Sequence, residues 1–269
     1  MNTSNRVLIT GSRGMLGKRL CATIKEEHPK KEILECKIDL TKSNEVESFL
    51  NSLPKFDTIF HLAALVPVED VNQNPSKAFL VNVGGTLNLL SSLKNRTPKI
   101  IFASTSHVYG SKNGPLSECD PLNPISLYGR TKLIAEDLVQ SMSNALGLDY
   151  LVARIFSMHD ENQTGSFLRP NLERRFKDAE SETPFTLEGG NSKRDFTSAK
   201  EVASLLVKLA WSDAQGLVNV ASGTPQTVAE FAQSLTAKRL DIVPTGETNN
   251  LYADTTRLEE MINATDSQH

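Results

Sequence analysis

The sequence predicts an α/β fold: a doubly wound parallel sheet with a second, smaller lobe. Three observations predict it. Short apolar runs alternate with longer amphipathic stretches along most of the chain, the order expected of strand–helix–strand units. Most of the short runs lack the polar alternation of a one-sided sheet, so both faces of the sheet are covered. The first run also leads directly into a glycine-rich turn, and a helical pattern follows it.

The elements follow in order. Arg6–Thr10 (RVLIT) is the first strand, and Met15–Glu27 carries apolar residues at helical spacing behind the turn. Further strands are predicted at Glu32–Cys36, 57–63, 99–103, 150–156 and 217–221, the last introduced by Gly216. Helices are predicted at 44–53, 79–94, Leu127–Leu146 and 199–211. After Phe156 the alternation breaks down, and 157–194 is polar, glycine-containing and rich in Arg. Residues 1–156 therefore form the main domain, with 195–222 returning to it. The smaller lobe takes 157–194 and 223–269.

Composition narrows the function classes. The chain has 269 residues and an apolar share of 39%, enough for a full core. A net charge of −3 gives no basic surface for nucleic acid or an anionic membrane. No apolar run approaches the ~20 residues that cross a bilayer, and the first residues carry no secretory signal pattern. The three cysteines, Cys21, Cys36 and Cys119, are scattered; they read as reduced thiols of a cytoplasmic protein. No His or Cys spacing indicates a metal site.

Two motifs carry chemistry. Gly11-Ser12-Arg13-Gly14-Met15-Leu16-Gly17 joins a strand to a helix. Such glycines permit a tight turn and a close approach of backbone to a diphosphate, and the helix N-terminus offers free N–H groups to its charge. The pattern points to a dinucleotide. Tyr128 and Lys132 are four residues apart and so share one helix face. A lysine ammonium beside a phenol favours the phenolate; lowering a pKa of ~10 by about 3 units needs about 4 kcal/mol. Thr105 stands at the end of an apolar strand, where a doubly wound sheet places its ligands.

These residues, taken in order, resemble the extended short-chain dehydrogenases/reductases (the NAD-dependent epimerase/dehydratase type) along nearly the whole chain. GxxGxxG is that family's form of the glycine turn. Asp39-Leu40 resembles its Asp beside the adenine, and His61-Leu62-Ala63-Ala64 its strand end under the cofactor. Asn82-Val83-Gly84-Gly85-Thr86 is similar to its Asn-x-x-Gly-Thr helix. Ser104-Thr105-Ser106-His107-Val108-Tyr109-Gly110 and Tyr128-Gly129-Arg130-Thr131-Lys132 resemble its two catalytic stretches, and Arg194-Asp195-Phe196 a signature of members that act on nucleotide sugars. The resemblance implies a Rossmann-like sheet and a catalytic set of Thr105, Tyr128, Lys132 and Asn82. It also implies hydride transfer between a nicotinamide and a substrate carbon, with Tyr128 moving the proton.

Departures from the family pattern refine this. Dehydratases carry an Asp-Glu pair after the threonine, whereas this chain has Ser106-His107, which argues against loss of water. His107 falls where GDP-fucose synthases have a cysteine that helps epimerise the sugar, so its role is either proton transfer or packing. Ser157 replaces an Asn that touches substrate in many members. The short distance from Gly17 to Asp39 implies that a helix and strand of longer members are missing. The chain thus looks closest to compact 4-keto sugar-nucleotide reductases, such as dTDP-4-dehydrorhamnose reductase and GDP-fucose synthase.

Arg194 is the candidate for the substrate diphosphate, with Arg174 and Arg175 as helpers and Ser106 and His107 beside the sugar. Glu35, near the end of the second strand, suits the ribose of NAD and repels a 2′-phosphate; Arg13 and Lys37 resemble basic positions that hold that phosphate. The cofactor is therefore NADP or NAD, with NADP preferred. Expected partners are a nucleotide sugar and a second copy of the chain, with neither nucleic acid nor membrane. The function expected is reduction of a 4-keto nucleotide sugar. The alternatives are an epimerase that keeps its NAD bound, and a cofactor-binding regulator without turnover.

Overall fold

A computed structural model describes residues 4–178 and 184–266, so those parts of the two predicted lobes that fall at 1–3, 179–183 and 267–269 lie outside it. The chain runs β1 (Arg6–Thr10), α1 (Met15–Glu27), β2 (Glu32–Cys36), α2 (Ser43–Ser52), β3 (Thr58–His61), α3 (Val68–Gln73) and α4 (Pro75–Phe79). A π-helical turn, Leu80–Gly84, leads into α5 (Gly85–Ser91), then β4 (Lys99–Thr105), a short 3₁₀ turn at Ser106–Val108, α6 (Leu127–Leu146) and β5 (Tyr150–Ile155). After these come β6 (Met158–His159), α7 (Leu168–Asp178), β7 (Phe185–Glu188), β8 (Lys193–Arg194), β9 (Thr197–Ser198), α8 (Ala199–Ala210) and β10 (Gly216–Val220). The chain closes with β11 (Gln226–Thr227), α9 (Val228–Ser234), β12 (Ile242–Thr245) and α10 (Thr256–Asp266).

Six parallel strands form the main sheet in the order β10-β5-β4-β3-β1-β2. Both faces are covered, as the continuous apolar runs require. On one side Leu20, Ile24, Leu206 and Val207 of α1 and α8 pack against Val7, Ile9 and Val218. On the other, Val46, Leu89, Ala135 and Val139 of α2, α5 and α6 pack against Leu8, Ile59 and Val152. Each such Leu or Ile contributes about 1.5–3 kcal/mol when fully buried. The sheet ends at β2, with no further strand beyond it among the described residues. The order reverses between β1 and β3, and that switch point is where an open α/β sheet binds its ligand.

A smaller core gathers Leu172, Phe176, Phe185, Leu187, Val228 and Phe231 from α7, β7 and α9. One segment departs from the predicted division. α10 falls within 223–269, yet its Leu258 joins the large core, with Met261 and Ile262 packed against it. This helix packs on β10 and α8. The predicted helix 79–94 is also subdivided: Leu80–Gly84 is π-helical, with the Gly85 N–H donating to the Leu80 carbonyl, and the Thr86 hydroxyl donates to the Asn82 carbonyl. Among the described residues no helix is long and apolar enough to cross a membrane.

Candidate active site

The glycine turn is built so tightly that side chains are excluded. Gly11 has φ 72°, and a Cβ there would lie 2.7 Å from the Ala63 nitrogen. A Cβ on Gly17 would lie 2.2 Å from the Gly11 carbonyl oxygen, so α1 packs directly on the turn. Gly14 stands at the N-cap of α1, and no side chain caps that end. Backbone N–H groups and the positive end of the helix are therefore left for an anion.

A buried hydrogen-bond chain supports the turn from below. The Ala63 N–H donates to Thr10 Oγ1 at 3.2 Å, and Thr10 Oγ1 lies 2.7 Å from His61 Nδ1. On the other side His61 Nε2 lies 2.9 Å from Thr86 Oγ1, whose hydroxyl donates to the Asn82 carbonyl at 2.7 Å. Thr86 has spent its proton, so His61 must donate from Nε2 and accept at Nδ1. Burial, and then the Lys132 charge, push the His61 pKa down to about 3, which keeps the ring neutral. His61 is a structural link.

One cavity of about 1920 Å³ runs from this turn into the small lobe. Its first end is lined by Gly11, Arg13, Gly14, Met15, Leu16, Gly17, Asp39, Leu40, Leu62, Ala63 and Ala64. The Asp39 carboxylate also holds the turn into α2, accepting from the Thr41 N–H at 2.9 Å and its hydroxyl at 2.8 Å. Arg13 and Lys37 line an adjoining recess of about 200 Å³ with Gly11, Ser12, Cys36 and Ala63. Glu35 is not among the residues lining either space; it lies against the glycine turn. Its carboxylate accepts from Ser12 Oγ at 2.8 Å and lies 3.5 Å from Lys37 Nζ. Those contacts, the Ser12 bond foremost, hold it below the usual carboxylate range.

Thr105, Ser106, His107, Tyr128 and Lys132 line the middle of the cavity. Thr105 ends β4 and caps the 3₁₀ turn, accepting from the His107 N–H at 3.2 Å. Ser126 caps α6 through the Gly129 N–H. Gly129 then lets the first turn of α6 press on the 3₁₀ turn, since a Cβ there would lie 2.2 Å from the His107 carbonyl oxygen. This contact brings the Tyr128 phenol beside the Thr105 hydroxyl. The tyrosine is shifted opposite to the expected direction: burial raises its pKa to about 12, and the Thr105 hydroxyl offsets only part of that. Lys132 is buried as well. Its pKa is pulled down to about 7, with the Glu136 charge opposing the fall, and its Nζ stands 4.0 Å from the centre of the Phe102 ring. The His107 ring meets Tyr128 edge-on at 5.7 Å, and burial followed by the Arg194 charge lowers its pKa.

Asn82 stands outside the cavity lining. Its Oδ1 accepts from the Leu65 N–H at 2.7 Å, while Nδ2 donates to the Leu65 carbonyl and to Thr131 Oγ1 at 3.0 Å each. Both amide hydrogens are committed, so the Asn82 side chain clamps the segment after β3 to α6 instead of reaching into the cavity. Behind the site Glu136 and Arg154 form a fully buried pair at 2.8 Å, with Ser104 Oγ donating to Glu136 and the Arg154 guanidinium donating to Tyr109.

The far end of the cavity is lined by His159, Arg169, Glu188, Arg194, Phe196 and Phe231. Arg194 donates to the Lys193 and Asn249 carbonyls and has no carboxylate partner among the described residues. Burial lowers its pKa, so this cation is short of an anion. Arg174 and Arg175 are not part of the lining. Both lie on the exposed side of α7, where Arg174 bonds Asn171 and Arg175 covers the Phe185 ring. Arg169, one turn earlier, reaches the cavity instead. It donates to Glu173 at 2.7 Å and toward His159 Nδ1 at 3.3 Å. Arg19 of α1 holds the strap after β6 by donating two hydrogen bonds to the Asp160 carboxylate, at 2.6 and 3.0 Å.

A glycine cradle at a sheet switch point, continuous with a buried Thr–Tyr–Lys cluster, defines a nicotinamide-dinucleotide enzyme of the short-chain dehydrogenase/reductase class. Residues 7–221 match the model of the NAD dependent epimerase/dehydratase family, and the chain belongs to that family. It is 28% identical to GDP-6-deoxy-D-mannose reductase of Pseudomonas aeruginosa, over 86% of this chain and 79% of the relative. It is 26% identical to a putative UDP-glucose 4-epimerase of Methanocaldococcus jannaschii, over 84% of this chain and 79% of that one. Among solved structures it is similar to RMD of P. aeruginosa complexed with NADPH, with a TM-score of 0.84 and 25% identity over 97% of this chain and 93% of that one.

Proposed function

We propose that the enzyme reduces the 4-keto group of a nucleotide-linked sugar, with NADPH preferred over NADH. The observation that carries this reading is the recess lined by Arg13 and Lys37, with Glu35 turned onto Ser12. Two cations with one engaged acid suit a 2′-phosphate, which only NADP(H) carries. A cofactor of that kind is consumed as a reductant. The similarity to a GDP-linked sugar reductase and to an NADPH-bound structure supports the same reading. The chain's three free cysteines support a reducing, cytoplasmic setting.

The cradle fits the dinucleotide, because Gly11 and Gly17 leave backbone where any Cβ would intrude. When bound, the nicotinamide supplies a hydride. Thr105 and Tyr128 present two hydroxyls to one substrate oxygen and stabilise the negative charge that develops there. Tyr128 delivers the proton to that oxygen, and Lys132, one turn along the same face, offsets the charge left behind. Arg194 holds the substrate diphosphate through charge-assisted hydrogen bonds.

The test is incubation with 4-keto nucleotide sugars while NAD(P)H absorbance and product are followed. One NADPH oxidised per sugar reduced is expected. Arg194→Ala should raise KM strongly, because each charge-assisted contact is worth about 1.5–3 kcal/mol, with a smaller effect on kcat. Interconversion of 4-hydroxy sugars without net cofactor change would replace this reading with an epimerase.

A further inference from the structure

We infer that the nucleotide taken at the small-lobe end of the cavity carries guanine, and that the Glu188 carboxylate reads that base. The inference rests on the proposed nucleotide-sugar reading and narrows it.

Glu188 is the last residue of β7. Along that strand Phe185 and Leu187 turn into the small core, which leaves Glu188 on the opposite, cavity-lining side. The turn after it is pinned to the start of α9: the Val228 N–H donates to the Ser192 carbonyl and the Ala229 N–H to the Gly190 carbonyl, each at 3.0 Å. Glu188, Gly189 and Ser192 thus share a wall with Val228 and Phe231. Phe196, the partly exposed ring on that wall, lies parallel to the buried Phe231 at 3.8 Å and 7°, with the His159 ring 5.1 Å from Phe231. An aromatic plane of this kind holds any base, since every base has a π-face. Selection then falls to a polar group at its edge.

The cavity offers four carboxylates for that role. Asp160 is taken by Arg19, Asp39 by Thr41, and Glu69 accepts from Gln73 on α3. The Glu188 carboxylate has no hydrogen bond or ion pair among the described residues, and it lies at the same end as Arg194.

A carboxylate presents two acceptors side by side. The pairing edge of guanine presents N1–H and the 2-amino group side by side, so both acceptors are filled. Uracil and thymine offer one N3–H between two carbonyl oxygens, and these would face the carboxylate with like charge. Adenine and cytosine place a ring acceptor next to their amino group. Guanine alone matches both oxygens.

Calorimetry on the full chain with GDP, IDP, UDP and dTDP tests this without requiring turnover. GDP should bind about tenfold or more tighter than UDP and dTDP, the usual discrimination of a bidentate base contact. IDP, which lacks the 2-amino group, should fall between them. Glu188→Gln should weaken GDP by about tenfold and leave UDP almost unchanged; the residue is exposed, so the fold does not depend on it. UDP or dTDP binding within about twofold of GDP, or a GDP-to-UDP ratio unchanged in Glu188→Gln, would overturn the guanine assignment and leave the nucleotide-sugar reading standing. Failure of all four to bind would overturn both.

Discussion

Replacing Gly129 by Ala tests how the site is held together. The added Cβ would stand 2.2 Å from the His107 carbonyl oxygen, whereas real Cβ atoms keep at least about 3.0 Å from such neighbours. The obstacle is backbone and cannot rotate away, so α6 and the 3₁₀ turn must part by about 0.8 Å. Tyr128 is the adjacent residue on α6, and Thr105 caps the turn, so their hydroxyls separate by a similar amount. A misplacement near 1 Å can cost about 100-fold in rate. Stability changes less. Alanine gains about 1 kcal/mol of helix propensity, and overpacking costs about 1–3 kcal/mol. Urea unfolding should therefore show a net loss of about 0–2 kcal/mol, and NADPH oxidation should show kcat down by about 30- to 100-fold, with cofactor affinity little changed. A folded variant with kcat within about threefold of the parent would refute the idea that this contact sets the Thr105–Tyr128 geometry.

Three further outcomes are expected. Tyr128→Phe should abolish nearly all turnover while NADPH still binds, measured by cofactor fluorescence; retention of most activity would remove Tyr128 from proton transfer. Arg13→Ala with Lys37→Ala should weaken NADPH much more than NADH, and equal loss would place both outside the 2′-phosphate site. The third concerns Lys132, whose folded pKa of about 7 lies below its ordinary 10.5. Between those values the unfolded chain binds the extra proton, so stability rises with pH there, and below about 7 the full cost of burying the charge remains. Lys132→Met should flatten that rise in denaturation curves taken from pH 7 to 10; Lys99, with a pKa of about 8, leaves a residual slope.

Much of the sheet was legible because strand and helix patterns are local. The runs at β1, β2, β4 and β5 each carry their own apolar signal, and Gly11 to Gly17 encode a steric demand in consecutive residues. The same holds for Tyr128 and Lys132, which share a helix face by spacing alone. What stayed hidden depends on distant partners. Arg174, Arg175 and Arg169 look alike in sequence, and only the rotation of α7 separates the one facing the cavity from the two facing solvent. Asn82 shows its clamp role only when Leu65 and Thr131 are brought beside it. Glu35 appears free until Ser12 folds over it. The helices α3, α4 and α9 are too short, at 5 to 7 residues, for a periodic signal to emerge. Gly129 was visible as a glycine, but its reason lies in a carbonyl 22 residues earlier, at His107.

The chain from Ala63 through Thr10, His61 and Thr86 to Asn82 has a built-in polarity. One end is an N–H that can only give, and the other a carbonyl that can only take. Each hydroxyl between them accepts once and donates once, so the links cannot be reversed one at a time. With the imidazole pKa near 3, none of these links titrates where an enzyme of this kind operates. The floor of the cofactor cradle is thus electrically mute across the working pH range. Any pH dependence in cofactor binding or turnover must then arise above that floor, from groups lining the cavity such as Lys132, Tyr128, His107 and His159.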